Sequence, residues 1–115
     1  MIEANNYSLL LLNLKRFEEA KAFMRNTIPM ARRVLGEGHD LPLTMQSLYA
    51  TALCDDPGAT LDDLRDAVAT LEEIRPTARR VLGGAHPTTT GIEEWLGYAR
   101  AALRARETPP PPGSA

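Results

Sequence analysis

The apolar positions of the chain recur at spacings of three and four and nowhere alternate with polar ones over a useful length. A period near 3.6 residues lays such positions along one stripe of a helix, whereas a strand needs a period of two. The clearest stripe is Leu61, Leu64, Val68, Leu71, Ile74, Ala78 and Val81. It predicts a long amphipathic helix with Thr60 at its N-cap and with Asp62 and Asp63 at the positive end of the helix dipole. Gly83 and Gly84 end this helix, because glycine reaches the left-handed conformation that closes a helix C-terminus, and Arg79 and Arg80 fall in the last turn, where positive charge is favoured. A second stripe of Phe17, Ala20, Met24, Ile28, Ala31 and Leu35 stops in the same way at Gly36.

The two long helices belong to copies of one unit. Pro29-Met30-Ala31-Arg32-Arg33-Val34-Leu35-Gly36-Glu37-Gly38-His39 recurs 47 residues on as Pro76-Thr77-Ala78-Arg79-Arg80-Val81-Leu82-Gly83-Gly84-Ala85-His86, with eight of eleven positions identical and no gap. The same offset carries Phe17 onto Leu64, Ala20 onto Ala67, Met24 onto Leu71 and Thr27 onto Ile74. Pro29 and Pro76 thus share one place inside the long helices. Each removes a backbone hydrogen bond, so a bend belonging to the unit is expected, with a break of each helix into two as the alternative. Shorter partner helices are predicted from roughly Glu3 to Leu14, from Leu43 to Cys54 and from about Thr89 to Arg106. Neither member of such a pair can bury its stripe alone, so pairs must stack into a continuous core. The prediction is an all-α array of about five helices over residues 1–107, in units of about 1–38, 39–85 and 86–107.

Composition narrows what such an array could meet. At 115 residues the chain makes one domain, and its 43% hydrophobic and 24% charged residues are too apolar for a wholly disordered chain. Net charge is -2 with both signs interspersed, so there is no basic field to attract a phosphate backbone, and no nucleic-acid partner is expected. The single cysteine, Cys54, has no internal disulfide partner, which points to a reduced, cytoplasmic setting. The apolar run from Ser8 to Leu12 follows Glu3 and leads into Asn13, Lys15 and Arg16; it is too short to span a membrane or to form a signal peptide, and no membrane contact is expected.

The run from Asn5 to Ala20, with its paired Asn5-Asn6 start and its Phe17-Glu18-Glu19-Ala20 entry to the next helix, resembles the helix-turn-helix core of a kinesin light chain repeat, a tetratricopeptide repeat. Leu82-Gly83-Gly84-Ala85-His86-Pro87-Thr88-Thr89 resembles that family's connecting signature, and Leu35-Gly36-Glu37-Gly38-His39-Asp40 is a weaker copy. The likeness runs to about Arg106. It departs from the pattern at the extra Asp55-Asp56-Pro57-Gly58-Ala59 segment, and at Ser47-Leu48-Tyr49-Ala50 and Glu94-Trp95-Leu96-Gly97, which stand where paired asparagines would. The resemblance implies a right-handed solenoid of antiparallel helix pairs whose concave face, built from the first helix of each pair, takes up another protein or peptide. On that geometry the partner-binding residues are Asn5, Leu9, Asn13, Thr44, Ser47, Thr51, Asp55, Glu94 and Tyr98. The alternatives are a structural or oligomerising segment, or the helical accessory region of a larger enzyme.

No assembled chemistry is legible. His39 and His86 occupy equivalent loop positions, as residues bonding their own backbone would, and two histidines with one cysteine on separate units do not supply the three or four converging ligands of a metal site. Cys54 stands beside Asp55 and Asp56, which oppose thiolate formation. The pairs Asp62-Asp63, Glu72-Glu73 and Glu93-Glu94 are consecutive on helices and point apart, and Gly83-Gly84 lacks a P-loop lysine. No catalytic residue, cofactor or metal is therefore expected. Trp95 shares a face with Leu96 and Ala99, which favours packing over ligand contact.

The two ends differ. The last helix offers arginines at 100, 104 and 106, as suits a helix that caps a stack against water, while the first is apolar almost all round at Tyr7 and Leu9 to Leu12. This asymmetry predicts either self-association through the first helix or continuation into a longer array. Residues 108–115, with Pro109 to Pro112, are expected to form a disordered tail, the alternative being a short polyproline helix that docks in an aromatic groove.

Overall fold

Residues 2–107 are described by the structure, a computed structural model; the proline-rich segment 108–115 lies outside the described residues. Five α-helices follow one another: α1 (Ile2–Asn13), α2 (Phe17–Leu35), α3 (Asp40–Asp55), α4 (Leu61–Val81) and α5 (Pro87–Glu107). No strand occurs among the described residues, and the chain is an all-α helical repeat.

Local chemistry sets the ends. At the start of α4 the Thr60 hydroxyl accepts from the Asp63 N–H at 3.1 Å while the Asp63 carboxylate accepts from the Thr60 N–H at 2.9 Å, a reciprocal capping box that meets two otherwise orphaned donors. Gly36 and Gly83, equivalent in the two copies, have φ of +94° and +92°, where a side chain would be strained. The turn from α1 to α2 closes with Lys15 at φ 61°, the Arg16 N–H donating to the Leu11 carbonyl at 2.9 Å and the Lys15 N–H to Leu12 at 3.0 Å.

Helices α3 and α5 begin earlier than their apolar patterns predict, and the histidines explain why. His39 Nδ1 accepts from the Leu41 N–H at 3.1 Å, and His86 Nδ1 accepts from the Thr88 N–H at 3.1 Å. Each imidazole thereby serves as the cap for the helix that follows. Pro87 then fills the first helical position, where a missing N–H costs nothing. The next two residues tie α5 to its neighbours: the Thr88 hydroxyl donates to Asp40, and the buried Thr89 hydroxyl donates to the Ala78 carbonyl of α4 at 3.3 Å.

Neither long helix breaks at its proline; α2 and α4 run unbroken past Pro29 and Pro76. Both prolines are exposed, so the carbonyls they orphan, those of Arg25 and Glu72, lie on the solvent side, where water can satisfy them.

Packing follows a rule of neighbours. Each helix packs against the next in sequence, and in addition α1 packs on α3 and α3 on α5, but the Cα atoms of α2 and α4 nowhere come within 8 Å. The odd helices close up on one side and the even helices splay on the other, so the array curves towards α1, α3 and α5. Its core has two compartments. Leu11, Phe17, Ala20, Met24, Ala31, Met45 and Ala52 join α1, α2 and α3, and Leu43, Leu53, Val68, Leu71, Ile74, Ile92 and Leu96 are among those that join α3, α4 and α5. Helix α3 faces both compartments, which is why apolar residues surround it. The predicted stripes hold except at Val81, which is 51% exposed at the end of α4.

The two ends of the stack bear out their different patterns. The α5 positions equivalent to Leu43, Ala50 and Leu53 are Thr90, Gly97 and Arg100, all exposed, so its outer face is polar. On α1, Tyr7, Leu9, Leu10 and Leu14 are 45%, 39%, 52% and 54% exposed.

Candidate partner-binding surface

The nine residues singled out from the sequence all lie on the odd helices, and their register places them in rows. Asn5, Ser47 and Glu94 hold equivalent positions on α1, α3 and α5, and so do Leu9, Thr51 and Tyr98; Asn13 and Asp55 end α1 and α3. Because adjacent odd helices pack together, each row crosses the curved side of the array. Leu9, Asn13, Asp55, Glu94 and Tyr98 are exposed, while Asn5, Thr44, Ser47 and Thr51 are half-buried.

Polar groups on this side are partly committed within the fold. The Thr51 hydroxyl donates to the Ser47 carbonyl at 3.0 Å and the Thr44 hydroxyl to the Asp40 carboxylate at 3.2 Å. Asn5 differs: its side-chain oxygen is shut off from water and has no hydrogen-bond partner among the described residues, an uncommon and costly condition for a buried acceptor. Although Asp55 is exposed as a residue, partial desolvation of its carboxyl pushes it above the usual carboxylate range, partly offset by the charge of Lys15.

Two further features depend on contacts between residues far apart in the chain. Lys21, on the buried stripe of α2, is only 5% exposed. Its ammonium donates to Asp56 at 3.3 Å and pairs with Glu18 at 2.7 Å. Desolvation disfavours its charge, yet the hydrogen bonds and charges of Glu18 and Asp56 outweigh that effect and its pKa is raised. Asp56 also accepts from the Gly58 N–H at 2.9 Å, and Arg106 donates to the Ala59 carbonyl at 3.0 Å, so the extra segment between α3 and α4 is held from both sides. The pattern of a lysine in an apolar stripe was the signal, but its partner is 35 residues away.

The second feature is a cleft of about 210 Å³ on the opposite side, between α2 and α4. Met24, Ile28 and Pro29 form one wall, Thr70 and Glu73 the other, and Tyr49 of α3 lies between them. Arg25 donates to the Tyr49 hydroxyl at 3.2 Å. The splay of the even helices creates it, and none of the nine residues reaches it.

Cys54 packs half-buried against the core of α3, α4 and α5. Burial and then the charge of Asp55 push its thiol up to about 11, which keeps it protonated and poorly nucleophilic near neutral pH. Among the described residues no group of three His, Cys, Asp or Glu side chains is placed to hold a metal ion, and no helix is long and apolar enough to cross a membrane.

No curated protein and no solved structure matches the chain. Residues 4–40, which take in most of α1 and all of α2, match the family model described as Tetratricopeptide repeat, and there the all-helical array is similar to a repeat of that type.

Proposed function

We propose that the chain is a non-catalytic scaffold in which α1, α3 and α5 together take up a peptide or a partner helix from another protein. The observation that carries this reading is the packing of odd helix on odd helix while α2 and α4 stand apart. It produces a curved side on which Asn5, Ser47 and Glu94 and their neighbours fall into rows. Stacked helix pairs build extended concave binding surfaces in this way, and the match to a tetratricopeptide repeat favours a protein partner. The Asn5-Asn6 pair and the Leu82 to Thr89 run support the kinesin light chain type, and the lone Cys54 supports a cytoplasmic setting.

The test is affinity capture from a matched cell lysate followed by mass spectrometry, with the native chain beside a variant carrying Asn5→Arg, Asn13→Arg and Ser47→Arg. Loss of the captured protein, with native helical circular dichroism retained at the capture temperature, is the expected result. Undiminished capture would move the binding site off the odd helices.

A second reading rests on α1. Tyr7, Leu10 and Leu14 form an exposed stripe at the spacing of one helix face. Helix α3 has similar apolar surroundings and buries them by packing on both sides, whereas α1 has neighbours on one side only. This face suits a second copy or a preceding helix pair. Light scattering of the purified chain is expected to reveal a dimer that Leu10→Lys with Leu14→Lys dissolves; a stable monomer at high concentration that binds no hydrophobic dye would remove this reading.

A further inference from the structure

At its α5 end the odd-helix surface carries two exposed side chains, Glu94 and Tyr98, beside the half-buried Trp95. Glu94, Trp95 and Tyr98 line a shallow cleft of about 300 Å³. The two rings meet edge to face, with centroids 5.1 Å apart and planes at 83°, an arrangement that leaves π surface uncovered. Trp95 is half-buried against the core of α3, α4 and α5, which fixes its ring, and Tyr98 is 53% exposed. The exposed Glu94 carboxylate has no ion pair or hydrogen bond among the described residues. Its neighbours are differently placed: Glu93 is held by Arg79 at 2.6 Å and Glu72 by Arg100 at 3.1 Å.

A free carboxylate beside aromatic faces selects for a cation. The ring quadrupoles present negative faces that attract a guanidinium or ammonium group, and the carboxylate adds a charge-assisted hydrogen bond. An acidic side chain would be repelled by both. We propose that Glu94, Trp95 and Tyr98 form a seat for an arginine or lysine side chain of the bound protein. The proposal rests on the reading of the odd helices as the binding surface and gives that surface a polarity, with the partner's basic residue at the α5 end.

Trp95 is the only tryptophan, so its fluorescence reports on the seat directly. The full chain is titrated with a capped diarginine peptide and with its dicitrulline counterpart, which keeps the shape and removes the charge. A saturable change with diarginine is expected, with binding at least about fivefold weaker for dicitrulline. Glu94→Gln should weaken the diarginine response about tenfold and Tyr98→Ala about fivefold. Asp62→Asn, which removes an exposed carboxylate elsewhere, should leave it unchanged. Equal responses to the two peptides, an intact response in Glu94→Gln, or an equal loss in Asp62→Asn would each overturn the seat. Partner capture separates the two ideas. If capture survives in the Asn5, Asn13 and Ser47 variant while Glu94→Gln loses diarginine, the surface reading fails and the seat stands; the reverse pattern removes the seat alone.

Discussion

Replacing Leu71 with alanine is expected to lower the free energy of unfolding by about 2–5 kcal/mol, read from the urea midpoint by circular dichroism. Leu71 is fully buried in the compartment that joins α3, α4 and α5, so truncation removes apolar packing from the core that ties α4 to its two neighbours. Relaxation around the site is limited because its flanking neighbours on the stripe of α4, Val68 and Ile74, are themselves already buried in the same compartment. Met24→Ala, the same position in the first copy, removes a side chain that joins α1, α2 and α3. In an array where each pair contacts only its neighbours, either loss falls on half of the core. A cost below about 1 kcal/mol for Leu71→Ala would mean that the three helices do not share this compartment.

Lys21→Ala is expected to cost about 3 kcal/mol, because it removes both an enclosed aliphatic stem and the partner of Asp56. Lys21→Met should cost less than about 1.5 kcal/mol, since it keeps the stem and leaves Asp56 with its Gly58 hydrogen bond. The second copy makes the same point, with Val68 at the equivalent position. The pH dependence has a defined sign. The Gly58 N–H, and then Lys21, hold the Asp56 carboxyl below its ordinary 3.8 despite some desolvation. A carboxyl whose folded pKa is depressed contributes stability above its unfolded pKa, and that contribution is lost as pH falls through the folded value. The gap between the native chain and Lys21→Met should therefore be steady near neutrality and narrow below about pH 4. Denaturant titrations at several pH values measure this. A Met variant as unstable as the Ala variant would show that the charge, and not the stem, matters at position 21.

Much of the fold was legible because a repeat is a local pattern read twice. The stripes of α2 and α4, the Thr60 cap and the Gly36 and Gly83 stops depend on residues within one or two turns of each other, and all appear as predicted. The starts of α3 and α5 did not follow from the apolar pattern, because the caps are His39 and His86, residue types whose capping geometry periodicity does not encode. Val81 continues a stripe but meets the side-chain-free Gly38 in the turn before α3, and so stays half exposed. Trp95 was expected to pack; it does so with part of its ring and lines the Glu94 cleft with the rest.

The sequence by itself determined that these residues form stacked helix pairs, that α5 presents a polar outer face and that α1 presents an apolar one. These are matters of spacing and residue type along one segment. Only the tertiary structure decided which helices meet. The contact of α1 with α3 and of α3 with α5, the splay of α2 from α4, and the bond of Lys21 to Asp56 join residues far apart in the chain. They depend on how side chains of different volume fill the space between helices, a quantity no single stretch contains. The curved surface and the unpaired carboxylate at its α5 end arise at that level.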